Sequence, residues 1–170
     1  MVRAALAGAA MIEIAVLAGG ALNNWRARRY GLEAGAELPG LTGYGLDIAA
    51  GPRQLRAACT ALRLVSRRCG FCGQEEPDWR RLAPMMNAKH CELVLLLPGL
   101  NAAPYYPRAS RIPEIVWVPL DWARTVNLLV SPTTILTYKG RIRWVRQGGL
   151  GPVPFSILTS EIETLPNDYR

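Results

Sequence analysis

Two cysteines stand two residues apart in "SRRCGFCGQEEPDW", residues 66–79, and a proline follows five positions after the second. A thiol pair at this spacing can hold a metal, staple a loop, or cycle between dithiol and disulfide. A metal centre would need two more ligands. The candidates are Cys59, Cys91 and His90, the chain's single histidine. The strand pattern described below sets them at the opposite end of a sheet from the pair, so no metal is expected. Thiol–disulfide exchange needs no other cofactor, and none is expected. The pair then reads as a redox couple. A cysteine where a buried strand gives way to a helix meets the helix's free N–H groups and positive end, which favour its thiolate. Cys69 takes that place and is the expected nucleophile, with Arg67 and Arg68 adding positive charge beside it. Cys72, one turn further in, should be more buried and should resolve a mixed disulfide by attacking the Cys69 sulfur.

The elements around the pair follow from pattern. Residues 59–66, "CTALRLVS", form a compact apolar run with alternation and read as a buried strand. From 72 to 86 the period turns helical, with Trp79, Leu82, Met85 and Met86 at three- and four-residue spacings. Residues 91–97, "CELVLLL", are a continuous apolar strand of the kind a parallel sheet buries on both faces. Residues 98–113 hold four prolines, so any helix there is short or broken. A third strand spans 114–120, and Asp121 can cap a short helix to about residue 129. Residues 133–147 alternate on either side of Lys139-Gly140, a hairpin, and 155–165 close as an amphipathic helix. The order of elements is that of an α/β fold around a mixed sheet, parallel first, with an antiparallel hairpin at the end. Trp79, Trp117, Trp122 and Trp144 serve most simply as packing, and His90 as an exposed loop residue.

The bulk numbers fit one domain of 170 residues, half of them hydrophobic, which excludes a disordered chain. The net charge of +7 raises the question of nucleic acid. The arginines (Arg26, Arg28, Arg29, Arg53, Arg56, Arg63, Arg67, Arg68, Arg80 and Arg81 among them) are scattered, and no aromatic-interleaved basic patch accompanies them. No nucleic-acid partner is expected. Residues 1–30 read as a membrane anchor or signal segment and 31–170 as the globular domain. The stretch 4–22 is almost wholly apolar, close to the ~20 residues that cross a bilayer, and only Glu13 interrupts it. It is long for a signal core and lacks a small-residue cleavage site, so an uncleaved anchor is expected, with Trp25 suited to the membrane interface. The arginines after the span would by the positive-inside rule leave the domain in the cytoplasm; disulfide chemistry argues for the outside. The expected place is the outer, periplasmic side. After Tyr30 a Gly-rich stretch reads as a linker running into short irregular strands.

The chain resembles membrane-anchored, thioredoxin-fold thiol–disulfide oxidoreductases of the TlpA/ResA type over roughly residues 38–150. Four features carry the resemblance: the Cys69-Gly70-Phe71-Cys72 quartet between strand and helix; Glu75 and Pro77 in "CGQEEP", like the Glu-x-Pro of that family's helix; Ser131-Pro132-Thr133-Thr134, like the loop whose proline is cis and faces the cysteines; and a closing hairpin. The resemblance implies a thioredoxin-like fold, with a mixed central sheet flanked by helices behind one N-terminal transmembrane anchor. It implies catalysis by Cys69, Cys72 and Pro132. Substrate would bind at Gly70, Phe71 and Ser131, the serine main chain pairing with an extended peptide, and Arg68, Glu75 and Pro77 would support the site, Pro77 by bending the helix. The implied partners are protein thiols or disulfides and a membrane redox partner. The sequence departs from the family in three places, one of them a truncated insertion helix between the second and third strands. Arg68 stands where an aromatic residue usually precedes the first cysteine. Arg63 stands where thioredoxins bury an acid, which leaves Glu75 or a water to take the Cys72 proton.

Two rival functions want other residues. A peroxide-reducing redoxin needs a Pro-x-x-x-Thr-x-x-Cys setting, which is absent. A copper-delivery or non-enzymatic binding module of similar fold wants a Cys-x-x-x-Cys and a distal histidine. One expectation lies outside the family pattern. Cys59 and Cys91 precede two strands that a right-handed crossover makes parallel and neighbouring. Their starting ends then lie about 4.8 Å apart, within the span a disulfide bridges, so a Cys59–Cys91 bond far from the redox pair is one outcome; a register offset of one or two residues would instead leave two buried free thiols.

Overall fold

The computed structural model describes residues 32–38, 42–44, 52–54, 58–66, 69–98, 114–118 and 131–166. In chain order the elements are β1 (Thr42–Tyr44), β2 (Pro52–Gln54), β3 (Cys59–Leu64), α1 (Glu76–Ala88), β4 (Glu92–Pro98), β5 (Glu114–Val118), β6 (Thr133–Tyr138), β7 (Arg141–Gln147) and α2 (Pro152–Glu163). One seven-stranded sheet runs β2-β1-β5-β4-β3-β6-β7. β3, β4 and β5 pair in parallel, while β6 and β7 add an antiparallel hairpin on the β3 side. Parallel strands first and a hairpin last is the expected mixed sheet. The short strands β1 and β2 form an antiparallel pair on the other edge, in the stretch read as linker and irregular strands. The expected helix over 121–129, Arg67 and Arg68, and the anchor segment with its orientation all lie outside the described residues. No described helix is long and apolar enough to cross a membrane.

Strand alternation sorts the core into two layers, because successive side chains point to opposite faces. Ala61 and Leu93 and their neighbour Leu136 face one way and pack on Trp79, Leu82 and Met86 of α1 and on Leu158 and Ile162 of α2. Leu62, Leu64, Val94, Leu96 and Ile135 face the other way, where Leu32, Ala36 and Leu38 cover them. Each large apolar side chain so buried contributes about 1.5–3 kcal/mol. Both described helices therefore lie on the same face of the sheet. The segment 32–38 is laced to β7 by a Glu37–Arg141 bridge and by the Arg141 guanidinium, which donates to the Gly35 carbonyl at 3.1 Å.

Three expected boundaries move, each for a local reason. α1 begins at Glu76 rather than at residue 72, because residues 69–76 are wound by i→i+3 bonds such as Cys72 N–H to Cys69 O at 3.3 Å and Glu76 N–H to Gly73 O at 3.3 Å. Pro77 does not bend the helix: it sits in the first turn, where its missing N–H has no partner to lose. The proline inside α1 is Pro84. α2 spans 152–163 rather than 155–165. Gly151, at φ 54°, turns the chain, and Pro152 starts the helix with its backbone angle already set. At the far ends of the two helices, the Lys89 ammonium donates to the carbonyls of Glu163 and Leu165, both at 3.0 Å.

Candidate functional site

β3 leads toward the turn that holds Cys69 and Cys72, at the carboxyl end of the parallel strands. Cys69 and Cys72 are joined, with Cα atoms 5.5 Å apart. Cys69 is half-buried, Cys72 is buried at 4% exposure, and Phe71 between them stands 66% exposed. The burial order is the one expected of an attacking and a resolving sulfur. The electrostatic setting differs from expectation: with α1 beginning at Glu76, the first regular helical turn lies beyond both cysteines, and the intervening turns carry the N–H groups nearest Cys69.

Opposite the turn, the Ser131–Pro132 bond is cis, as the resemblance implies. Pro132 is buried, and its carbonyl accepts the Gly148 N–H at 2.8 Å. Ser131 is half-buried just before β6 begins, so its main chain lies outside the β6–β7 ladder. A groove of about 440 Å³ runs between Phe71 and Gln74 on one side and Ser131 and Pro132 on the other. Residues 148–151 form its third wall. Gly148 (φ 92°) and Gly151 (φ 54°) adopt backbone angles that side chains resist, and glycine keeps this wall low.

Beneath the turn lies a feature that motif reading did not place among the site residues. Arg63 on β3 is fully buried, at 0% exposure. Its guanidinium donates to the Cys72 carbonyl and, at 3.2 Å, to Glu76 Oε2. Its Nε lies 3.4 Å from Glu75 Oε2, an ion pair without hydrogen-bond alignment. The charge also sits 5.4 Å from the centre of the Trp79 ring, a cation–π distance. Glu75, 4% exposed, accepts the Leu150 N–H on Oε1 at 2.7 Å, which ties the turn to the third wall of the groove. Burial pushes the Glu75 carboxyl above its ordinary value, while the Leu150 N–H and the Arg63 charge pull it back. Removing one partner of such a buried pair leaves an uncompensated charge and costs about 3–5 kcal/mol. The sequence held a signal for this: an arginine inside a six-residue run that the sheet buries, with Glu75-Glu76 waiting in the next element. Gln74 and the 148–151 wall carry no motif and come only from the fold.

At the far end of β3, Cys59 and Cys91 are joined, with Cα atoms 4.7 Å apart. They are 0% and 5% exposed. Strand pairing explains the bond: Thr60 faces Glu92 across the parallel β3–β4 ladder, so the preceding residues are side by side.

No protein-family model matches the sequence, and no curated protein matches it. Solved structures do. A Chlorobium tepidum protein assigned as the thiol:disulfide interchange protein DsbE superposes with TM-score 0.63 at 18% identity, over 77% of this chain and 96% of its own. The thioredoxin domain of a thiol-disulfide oxidoreductase from Bacteroides vulgatus gives 0.59 at 16%, over 77% and 99%. A secreted disulfide oxidoreductase from Mycobacterium tuberculosis, homologous to E. coli DsbE, gives 0.52 at 14%, over 73% and 95%. The fold is thioredoxin-like. In this chain the groove is lined by Phe71, Glu75, Ser131 and Pro132, and Arg63 lies buried against Glu75.

Proposed function

We propose that the protein exchanges thiols and disulfides on protein substrates outside the cytoplasm, with Cys69 as nucleophile and Cys72 as resolving thiol. The supporting observation is the unequal exposure of the two bonded cysteines, with Phe71 between them lining a groove whose other side is the cis-proline loop. In the reducing direction, the Cys69 thiolate attacks one sulfur of a substrate disulfide and expels the other as a thiolate, forming a mixed disulfide. Cys72, deprotonated, then attacks the Cys69 sulfur; the Cys69–Cys72 bond closes and the second substrate thiolate leaves. The substrate has gained the two electrons the dithiol lost, and the reverse sequence oxidises a substrate dithiol. Glu75, three residues beyond Cys72, or a water would take the Cys72 proton. Ser131 would offer main-chain pairing to an extended substrate peptide, Gly70 and Phe71 the apolar lip, and Pro132 the wall that keeps other groups from the sulfurs. Arg68 would add charge at the rim and Pro77 would start the helix behind the turn. A membrane-bound redox partner would restore the couple, and the N-terminal apolar segment would hold the domain at the membrane.

The test is a pair of variants. Cys69→Ser abolishes insulin reduction with dithiothreitol, while Cys72→Ser accumulates mixed disulfides with substrate, because attack survives and resolution does not. Activity surviving Cys69→Ser would leave a thioredoxin-fold binding module as the reading. The reduction potential of the couple then assigns direction: a value near about −270 mV, that of thioredoxin, marks a reductant, and one tens of millivolts higher an isomerase or oxidant.

A further inference from the structure

The fully buried Arg63 is a permanent charge at a redox site, and its neighbours define what it can do. It reaches three groups: the carbonyl of the buried Cys72, the Glu75 carboxylate and the Glu76 carboxylate. An arginine holds its proton throughout the range in which thiols and carboxylates titrate. A lone buried acid beneath a cysteine would change charge with pH and with the state of the thiol; a guanidinium cannot. It acts instead through a fixed field and through the carboxylate it holds.

We propose that Arg63 is a positioning residue for the Cys69–Cys72 couple: a buried cation that neutralises Glu75 beneath the turn and so sets the balance between the dithiol and the disulfide. The proposal rests on the exchange reaction given above. Among the described residues the other charges near the turn are few, and Arg67 and Arg68, just before Cys69, lie outside them. Glu76 is shared with Arg80 at 3.5 Å, and Asp78 is paired with Arg81. Arg146 on β7 lies two strands from Arg63 on the same sheet face, with Thr134 between them. From the α2 side the group nearest Glu75 is the uncharged Leu150 N–H. Arg63 and Glu75, 0% and 5% exposed in their side chains, are the pair whose charges water screens least.

The opposing charges give the proposal a signature that a mere structural clamp lacks. Reduction of the couple consumes two glutathione thiols and yields the Cys69/Cys72 dithiol and glutathione disulfide, and its equilibrium constant is read by alkylating quenched mixtures. Arg63→Gln leaves a net negative charge under the turn, raises the energy of a thiolate and shifts the constant about tenfold toward the protein disulfide at pH 8, the effect of one pKa unit. Glu75→Gln leaves a net positive charge and shifts it about tenfold toward the dithiol. The double variant, with neither charge, returns to within about threefold of wild type, and Arg63→Lys stays within a similar range. In Arg63→Gln alone, the shift fades as pH falls and the unpaired Glu75 takes up a proton. Both single variants moving in the same direction would overturn the proposal. So would a folded Arg63→Gln, checked by thermal melting, whose constant equals that of wild type at pH 8. Should Arg63→Gln not fold, Glu75→Gln carries the test, and an unchanged constant there overturns it. A wild-type couple that never equilibrates with glutathione sinks the exchange function itself; a wild type that equilibrates beside unshifted variants sinks only the role of Arg63.

Discussion

The molecule holds two disulfides at opposite ends of β3, and they differ in almost everything except the bond. Cys59–Cys91 joins neighbouring parallel strands across 32 positions of sequence, with both sulfurs buried under the α1 and α2 face. Cys69–Cys72 spans three positions within a turn, Cys69 half-buried beside an exposed phenylalanine and Cys72 buried, its carbonyl accepting from a buried guanidinium. Sequence separation governs how far a cross-link restricts the unfolded chain. By the loop-entropy argument the first is worth roughly 3–4 kcal/mol and the second about 2. Exposure governs whether an external thiolate can reach a sulfur. A cell's thiol chemistry can therefore turn over one bond while the other keeps the sheet together. The lesson is that two bonds of the same chemistry are separated by their surroundings, which strand pairing and burial decide.

The largest difference should appear in reduction. Under limiting dithiothreitol, Cys69–Cys72 opens on the order of 100-fold sooner than Cys59–Cys91, because attack needs access along the S–S axis. Timed alkylation with peptide mapping measures both rates, and equal rates would erase the distinction. Next is stability. Replacing Cys59 and Cys91 together by alanine costs roughly 3–4 kcal/mol and lowers Tm by about 10 °C, while exchange by Cys69 and Cys72 stays within about twofold of wild type. Loss of exchange in a folded double variant would mean that the two ends of β3 are not independent.

The comparison also shows what the sequence disclosed. Apolar runs and crossover geometry located β3, β4, the hairpin and α1, and with them both cysteine pairs, since adjacency of parallel strands follows from connectivity. The helix starts were misplaced where local chemistry overrides period: i→i+3 turns delay α1 to Glu76, and Gly151-Pro152 advances α2. Arg63 was visible as a departure from a family pattern, yet its partners were not. Its contacts span β3, the turn and α1, and through Glu75 they reach residue 150, a tertiary convergence that no spacing rule encodes. Phe71 was legible only as part of a motif, and its exposure belongs to the fold.

Smaller effects sharpen the same contrast. Phe71→Ala changes stability by less than about 0.5 kcal/mol, as befits an exposed site, but raises KM for a protein substrate several-fold, because an exposed aromatic at a groove mouth is a typical anchor. Steady-state kinetics beside a thermal melt would show both. The smallest effect is in pH. The Glu75 carboxyl lies above its ordinary value of 4.5 in the folded chain, chiefly through burial. The folded state therefore binds the proton more tightly than the unfolded one, and stability declines as pH rises from 4.5 through the raised value. Glu75→Gln removes that slope. Denaturant titrations across this interval should show wild type losing stability relative to Glu75→Gln as pH rises, and parallel curves would mean that Glu75 is not perturbed.

The Lys89 ammonium, resting on the carbonyls of Glu163 and Leu165, carries a consequence for the order in which the chain is completed. α2 has no basic residue of its own in its last turn, so the negative end of that helix is met by a charge synthesised 74 residues earlier. The tip of α2 is thereby tied to the residue that follows α1. A nascent chain released before residue 165 lacks one of the two carbonyls that latch it, and its final helix frays from the tip. Residues 163–165 thus work as a clasp, and a peptide of residues 152–166 on its own would be poorly helical in water, as short isolated helices are.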